Sequence, residues 1–335
     1  MDHSIHNETA TPATHDNNWE PRPELLQAMH EIATIAAYDD SAIVSDREIS
    51  FANGPLRTSI IASEIDLVTI DGFRISERID IRTPLPAVIA EMTAEQIAMA
   101  NTMATTGAIV IDPDDGSTTL VSSLPVFEVD TEALEDLYTK MVAVGALVQL
   151  AGPIAGTDYL GESINVDERD MDYPAWGSAS PWGKSEFAYA NNMLRRAGFC
   201  ANASESGLTV EFPWDEGASS AMLGDCTSLM RFQSDMPHPV AGRGLFFRLD
   251  LPLTLERRQL AECANYLNVL ETTGTNLPPI FGAWCSQLDN GTLSFIGFWP
   301  NCMYKAGTVA NIASWCRVRS RIARQAIGNL RLAGE

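Results

Sequence analysis

One order of elements occurs twice along the chain, and that constrains the fold more than any single motif does. A helical stretch, two strands joined by an Asp/Asn-Gly turn and a closing helix occupy residues 94–150 and again 257–327. In the first copy Ala108-Ile109-Val110-Ile111 leads through Asp114-Asp115-Gly116 into Thr119-Leu120-Val121. Leu134, Leu137, Tyr138, Met141 and Val148 then follow at helical spacing. In the second copy Phe281-Gly282-Ala283-Trp284 leads through Asp289-Asn290-Gly291 into Leu293-Ser294-Phe295-Ile296. A helix carrying Ile312, Trp315, Val318 and Ile322 closes it. Asp-Gly and Asn-Gly between short apolar runs signal hairpins, because these residues accept the positive φ that tight turns require.

The segments before each hairpin also match in kind. Pro23 opens a helix with Leu25, Met29, Ile32 and Ala36 on one face. Strand-like runs follow at 42–45, 48–51, 58–62, 67–70 and 75–81, with turns at Asn53-Gly54 and Asp71-Gly72. A helix over 93–103 leads into the hairpin, and Asp130 or Thr131 caps the closing helix. In the second unit Ser185 is the expected N-cap, Phe187, Ala190 and Leu194 form the apolar stripe, and Gly198 stops the helix. Strands at 208–212, 228–233 and 245–251 precede a helix over 255–271 that buries Leu260, Cys263, Ala264, Leu267 and Leu270. Each unit thus reads α-β-β-β-α-β-β-α, an α+β domain with an antiparallel sheet packed by helices.

Between the units, residues 152–183 are broken by Gly and Pro and crowded with acids, so they read as a linker. Tyr159, Tyr173, Trp176 and Trp182 serve as anchors for it. The polar opening with His3, His6 and His15 reads as a disordered tail. The expected organisation is a tail over 1–21, a first unit over 22–151, a linker over 152–183 and a second unit over 184–331.

Charge divides the chain sharply. Of the net −22, residues 1–181 hold 8 basic and 31 acidic side chains, and residues 182–335 hold 14 and 13. An acidic half repels phosphate backbones and anionic lipids, which argues against nucleic acid or a membrane as partner. Met1-Asp2-His3-Ser4 has neither a basic nor an apolar export region, so a cytoplasmic location is expected. All six cysteines (Cys200, Cys226, Cys263, Cys285, Cys302 and Cys316) lie in the second half without a C-x-x-C pair, and reduced, mostly buried thiols are expected.

Sequence patterns for catalysis, metal and cofactors do not emerge. The P-loop, G-x-S-x-G, G-x-G-x-x-G and H-E-x-x-H patterns are missing. Asp112 to Asp115 read as a turn rather than a calcium loop. Outside the tail the histidines are His30, on a helix, and His238, between Pro237 and Pro239. The expectation is a protein that is not an enzyme and holds no cofactor or metal. One surface feature stands out: Arg317, Arg321, Arg324 and Arg331 form a basic stripe on the last helix, and no acid occurs between Asp289 and Glu335. It is a candidate partner-binding face. A candidate pocket between helix and sheet groups Asn265, Asn268, Trp284 and Trp299.

The order of elements, with these residues, resembles the YbjN domain family of bacteria, whose fold is shared with type III secretion chaperones. The likeness rests on the strand ending Pro213-Trp214-Asp215, the strand ending Leu251-Pro252-Leu253, and Glu256-Arg257-Arg258 leading into Asn265-Tyr266-Leu267-Asn268. The hairpin about Asp289-Asn290-Gly291 and the long last helix complete it. The first unit diverges: Asn101 matches Asn265, and Ala104 stands where Asn268 would be. The resemblance implies a regulatory, chaperone-like adaptor that binds another protein or peptide. Secretion chaperones act as homodimers, so the two units here would form the equivalent pair within one monomeric chain. A small-molecule or peptide sensor using the candidate pocket is the alternative.

Overall fold

The computed structural model describes residues 19–36, 43–53, 56–68, 74–86, 92–102, 104–112, 115–127, 180–213, 227–238, 242–253, 255–273, 282–286 and 292–333. The protein is α+β with two six-stranded antiparallel sheets, one from each half of the chain. The first contains β1 (Ile43–Val44), β2 (Glu48–Asn53), β3 (Leu56–Val68), β4 (Arg74–Pro84), β5 (Ala108–Ile111) and β6 (Thr118–Phe127). The second contains β7 (Cys200–Ala203), β8 (Gly207–Phe212), β9 (Ser228–His238), β10 (Gly242–Pro252), β11 (Ala283–Ser286) and β12 (Thr292–Pro300). Their spatial orders, β1-β2-β3-β4-β6-β5 and β7-β8-β9-β10-β12-β11, are the same. In each, four strands meander, a helix crosses to the far edge, and the last strand returns to fill the gap.

Four strands, not three, therefore precede the middle helix in each half. The strand missing from the sequence reading of the second half is β7, Cys200-Ala201-Asn202-Ala203, which contains no β-branched or aromatic residue to announce it. It forms because the turn into β8 closes with Ser204 N–H donating to the Gly207 carbonyl at 2.8 Å. In the first half the run at 58–62 and the described part of the run at 67–70, Leu67 and Val68, are a single strand, β3, interrupted by a bulge between Glu64 and Leu67. The expected closing helix of the first unit, the Asp71-Gly72 and Asp289-Asn290-Gly291 turns, and the linker as far as 179 lie outside the described residues.

Five α-helices are described: α1 (Pro23–Ala36), α2 (Ala94–Ala100), α3 (Lys184–Arg196), α4 (Arg257–Thr273) and α5 (Thr308–Ala333). A capping box starts α2, in which Gln96 N–H donates to Thr93 Oγ1 (3.3 Å) and Thr93 N–H to Gln96 Oε1 (2.8 Å). The helix ends at residue 100 rather than 103, because Asn101 commits its side chain to β5. Gly183, not Ser185, caps α3, without a side-chain bond. Gly198, at φ +85°, ends it: Phe199 N–H reaches the Leu194 carbonyl and Gly198 N–H that of Arg195.

Alternation along the strands sets the cores. Ile49, Phe51, Ile60, Ile79, Ile81 and Leu124 are buried with Leu25 and Met29 of α1. In the second half Leu245, Phe247, Leu249, Phe295 and Trp284 share a core with Phe187 of α3, Leu267 of α4 and Ile312 and Cys316 of α5. Each fully buried side chain of this size contributes about 1.5–3 kcal/mol.

The halves meet reciprocally. Helix α2 packs on α4, α2 also meets β11, α4 also meets β5, and β5 touches β11. Ala108 and Ala283, the first residues of β5 and β11, share a small apolar cluster with Val110 and Val121, and Val269 packs against it. Polar contacts across the seam among the described residues include Phe298 N–H to the Thr105 carbonyl (2.9 Å), Asn265 Nδ2 to the Ala94 carbonyl (3.4 Å), and Arg257 Nε to Glu95 Oε2 (3.1 Å). Among the described residues no helix is long and apolar enough to cross a membrane.

Candidate functional site

The four candidate pocket residues separate into distinct roles. Asn268, on α4, donates from Nδ2 to the Trp284 carbonyl (2.9 Å) and accepts the Trp284 N–H at Oδ1 (2.8 Å). That pair of bonds pins the start of β11 to the middle helix. Asn101 does the same in the first half, donating to the Ile109 carbonyl (3.1 Å) and accepting the Ile109 N–H (2.7 Å). Asn101 therefore corresponds to Asn268, not to Asn265, and the alignment drawn from sequence was three residues out of register. Asn265 instead faces Ala94 across the seam. Trp299 is held elsewhere, its indole N–H donating to the Met303 carbonyl at 2.9 Å.

A glycine precedes each pinned strand, and both are required by close approach. A Cβ on Gly107 would lie 2.7 Å from the Val121 carbonyl oxygen, and one on Gly282 would lie 2.7 Å from that of Ile296 and 2.5 Å from Phe295. The lock is thus Asn, then Gly-Ala, in both halves: Asn101 with Gly107-Ala108, and Asn268 with Gly282-Ala283. Beside it, at the seam, a cavity of about 30 Å³ is lined by Ser122, Ser123, Asn268, Glu271, Thr272 and Arg319 among others. That is room for one or two water molecules.

The basic stripe on α5 is interrupted. Arg317 and Arg321 are exposed, with the Arg317 guanidinium 5.1 Å from the Phe199 ring centre. Arg324 is buried and donates from Nη2 to Ser228 Oγ (2.7 Å), which in turn shares a hydrogen bond with Ser320 Oγ. Arg331 lies within α5, and its side chain falls outside the described residues.

A buried arginine that sequence reasoning passed over holds the second half together. Arg319 Nε donates to both Glu271 oxygens (3.0 and 2.9 Å), its side chain is 1% exposed, and its guanidinium sits 4.7 Å from the Phe295 ring centre. Trp284 Nε1 donates to Glu271 Oε1 at 2.6 Å. One carboxylate thereby ties α4, α5 and β11. The signal was present in the spacing: Arg319 follows Cys316 by three and precedes Ala323 by four, both fully buried.

A second recurring cluster lies on the face of each sheet opposite its core helices. In β4, Arg78 Nε donates to Asp80 Oδ2 (3.0 Å), and Ser123 Oγ donates to Asp80 Oδ1 (2.5 Å) from the neighbouring strand. In β10, Arg248 Nε bonds Asp250 Oδ1, and Ser294 Oγ donates to the same oxygen (2.7 Å). Arg78-Ile79-Asp80-Ile81 and Arg248-Leu249-Asp250-Leu251 make this repeat visible in the sequence.

The groups that carry chemistry elsewhere are quiet here. Burial pushes the Cys285 and Cys316 thiols up to about 12 and lowers His238, whose ring lies tilted 4.8 Å from that of Phe298, to about 4. These thiols stay protonated and this imidazole neutral near pH 7. Glu186 is raised chiefly by burial, and it accepts the Gly307 N–H (3.1 Å) and the Tyr304 hydroxyl (3.2 Å), fixing the approach to α5. Of the described cysteines only Cys200 is exposed, and none is disulfide-bonded. No cluster of three or more His, Cys, Asp or Glu among the described residues is placed to hold a metal. In comparisons with protein families, curated proteins and solved structures, the chain matches none.

Proposed function

We propose that the chain is a non-enzymatic, cytoplasmic protein-binding module, a chaperone-like adaptor whose two YbjN-like halves form an intramolecular pseudo-dimer. The observation that supports this most is the reciprocal seam. When one element pair repeats with its roles exchanged, α2 on β11 and α4 on β5, the contact has the logic of a two-fold homodimer. The seam takes up the β5 and β11 edges and leaves β1 and β7 as the outer edges of the sheets. With α5 and its exposed Arg317 and Arg321, the outer edges and outer sheet faces are the surfaces offered to a partner.

Two measurements test this reading. Light scattering of the intact protein should give a single-chain mass near 36.4 kDa, and small-angle scattering should give one compact body. A stable homodimer, or two independently tumbling bodies, would overturn the pairing. Capture from the native host should retain one protein in stoichiometric amount. A thermal-shift screen that instead finds a tight metabolite ligand would move the reading to the sensor alternative, and detectable turnover would overturn the non-enzymatic one. No observation favours the sensor at Asn268 and Trp284, where the neighbouring cavity is only about 30 Å³.

A further inference from the structure

The outer face of the second sheet carries a groove of about 460 Å³ that crosses β7, β8, β9 and β10. Asn202, Thr209, Arg231, Gln233, Phe246 and Arg248 are among its lining, and none of the described lining residues is acidic. Arg231 and Arg248 are direct cross-strand partners. Like charges in that position destabilise a sheet unless something lies between them. Asp250 partly fills that role, taking Arg231 Nη1 at 2.7 Å on one oxygen and Arg248 Nε on the other. Its side chain is 11% exposed, whereas that of Arg231 is 54% exposed. Within the cluster two guanidinium groups share one carboxylate, and the acid on this face of β8, Glu211, lies outside the groove lining. In the first half a serine, Ser63, stands opposite Arg78 in place of a second arginine.

We propose that this groove binds a short extended peptide segment of a partner protein through an acidic side chain, whose carboxylate bridges Arg231 and Arg248. The inference rests on the protein-binding reading above and names its site and the chemistry of the segment. Four strands about 4.8 Å apart span about 14 Å, the length of roughly four extended residues. Phe246, half-buried, offers an apolar wall to the side chain beside the acid, and the amides of Asn202 and Gln233 serve the peptide backbone. An isolated small anion would use the arginine pair and leave the rest of the groove idle.

The test is fluorescence anisotropy on the full chain with two dye-labelled, end-capped hexapeptides, Gly-Ser-Glu-Leu-Ser-Gly and its Gln counterpart. The Glu peptide should bind at least about tenfold more tightly, the scale of a charge-assisted bidentate contact. Arg231→Gln should erase that preference while leaving the melting temperature in place, since the side chain is exposed. Arg248→Lys, which keeps the charge and loses the planar fork, should weaken binding about threefold or more. Equal binding of the two peptides, or an undiminished preference in Arg231→Gln, overturns the inference. So does displacement of the Glu peptide by inorganic phosphate or glutarate at the peptide's own dissociation constant, which would mark a small-anion site. Capture from the host separates the two levels. If intact protein and Arg231→Gln retain the same partner, the groove is not its site and the adaptor reading stands. If neither retains one, the adaptor reading falls too.

Discussion

The two Arg-x-Asp clusters show what the two halves share and where they part. In the first half, Arg78 and Asp80 are 7% and 2% exposed and neutralise each other. In the second, Arg231 joins the pair from the neighbouring strand, and the cluster opens to solvent with two guanidinium groups on one carboxylate. The clusters also differ in place. Asp80 faces Ser123, two residues to one side of Val121, the partner of Ala108, whereas Asp250 faces Ser294, two residues to the other side of Ile296, the partner of Ala283. The Asn and Gly-Ala lock, by contrast, occupies the same topological position in both halves. A lock that satisfies buried backbone groups is tied to one point of the fold. A charge cluster on a sheet face needs only the right alternation, so it can shift by an even number of residues and acquire a new member.

This comparison can be broken in graded steps. The largest effect is expected for Asp80→Asn, which removes the carboxylate charge that the buried Arg78 bonds. Chemical denaturation should show a loss of about 3–5 kcal/mol, against about 1–2 kcal/mol for Asp250→Asn, whose arginines reach solvent. Equal losses would mean that exposure does not distinguish the clusters.

Next is the acid sensitivity that His238 gives the second half. His238 binds no proton in the fold until about pH 4, whereas the unfolded chain takes one near 6.5. Its contribution is therefore fully present above about pH 6.5 and lost as pH falls towards 4, about 3 kcal/mol in all. Glu186 acts in the opposite sense, because its carboxyl is raised: stability is regained as pH falls through its folded pKa. His238→Phe, which keeps a ring beside Phe298, should flatten the fall measured by denaturant midpoints between pH 7 and 4.5.

Asn101→Ala and Asn268→Ala should then cost about 2–3 kcal/mol each, since each strands a buried N–H and a carbonyl. Matching losses would confirm that the locks are equivalent, and a negligible loss in one half would break the equivalence. The smallest effect is expected at Gly107→Ala and Gly282→Ala, about 1–3 kcal/mol from overpacking against the carbonyls of β6 and β12.

Much of the architecture was legible in the sequence, because apolar periodicity and Gly-containing turns mark helices and hairpins locally. The order of helix, strands, helix and hairpin in both halves follows from such signals. β7 was not legible, since its four residues have no strand preference and gain their conformation from β8. Arg324 was read by charge, as a residue for the surface, and Arg319 was passed over, although helical spacing places both on the buried face of α5. Their burial depends on Glu271 and Ser228, distant in sequence, and one-dimensional periodicity gives no hint of those partners. The groove on the second sheet was hidden for a similar reason. Arg231 and Arg248 are 17 positions apart and become neighbours only through the β9–β10 register.

The reciprocal seam has a consequence for how the protein behaves on dilution. A homodimer with such a contact separates as its concentration falls, and both of its faces must change together when its sequence does. Halves joined in one chain meet at an effective concentration in the millimolar range, set by the connection rather than by copy number. The pairing then holds at a few molecules per cell. Joined halves can also carry unlike surfaces, as the acidic first half and the open arginine pair of the second do.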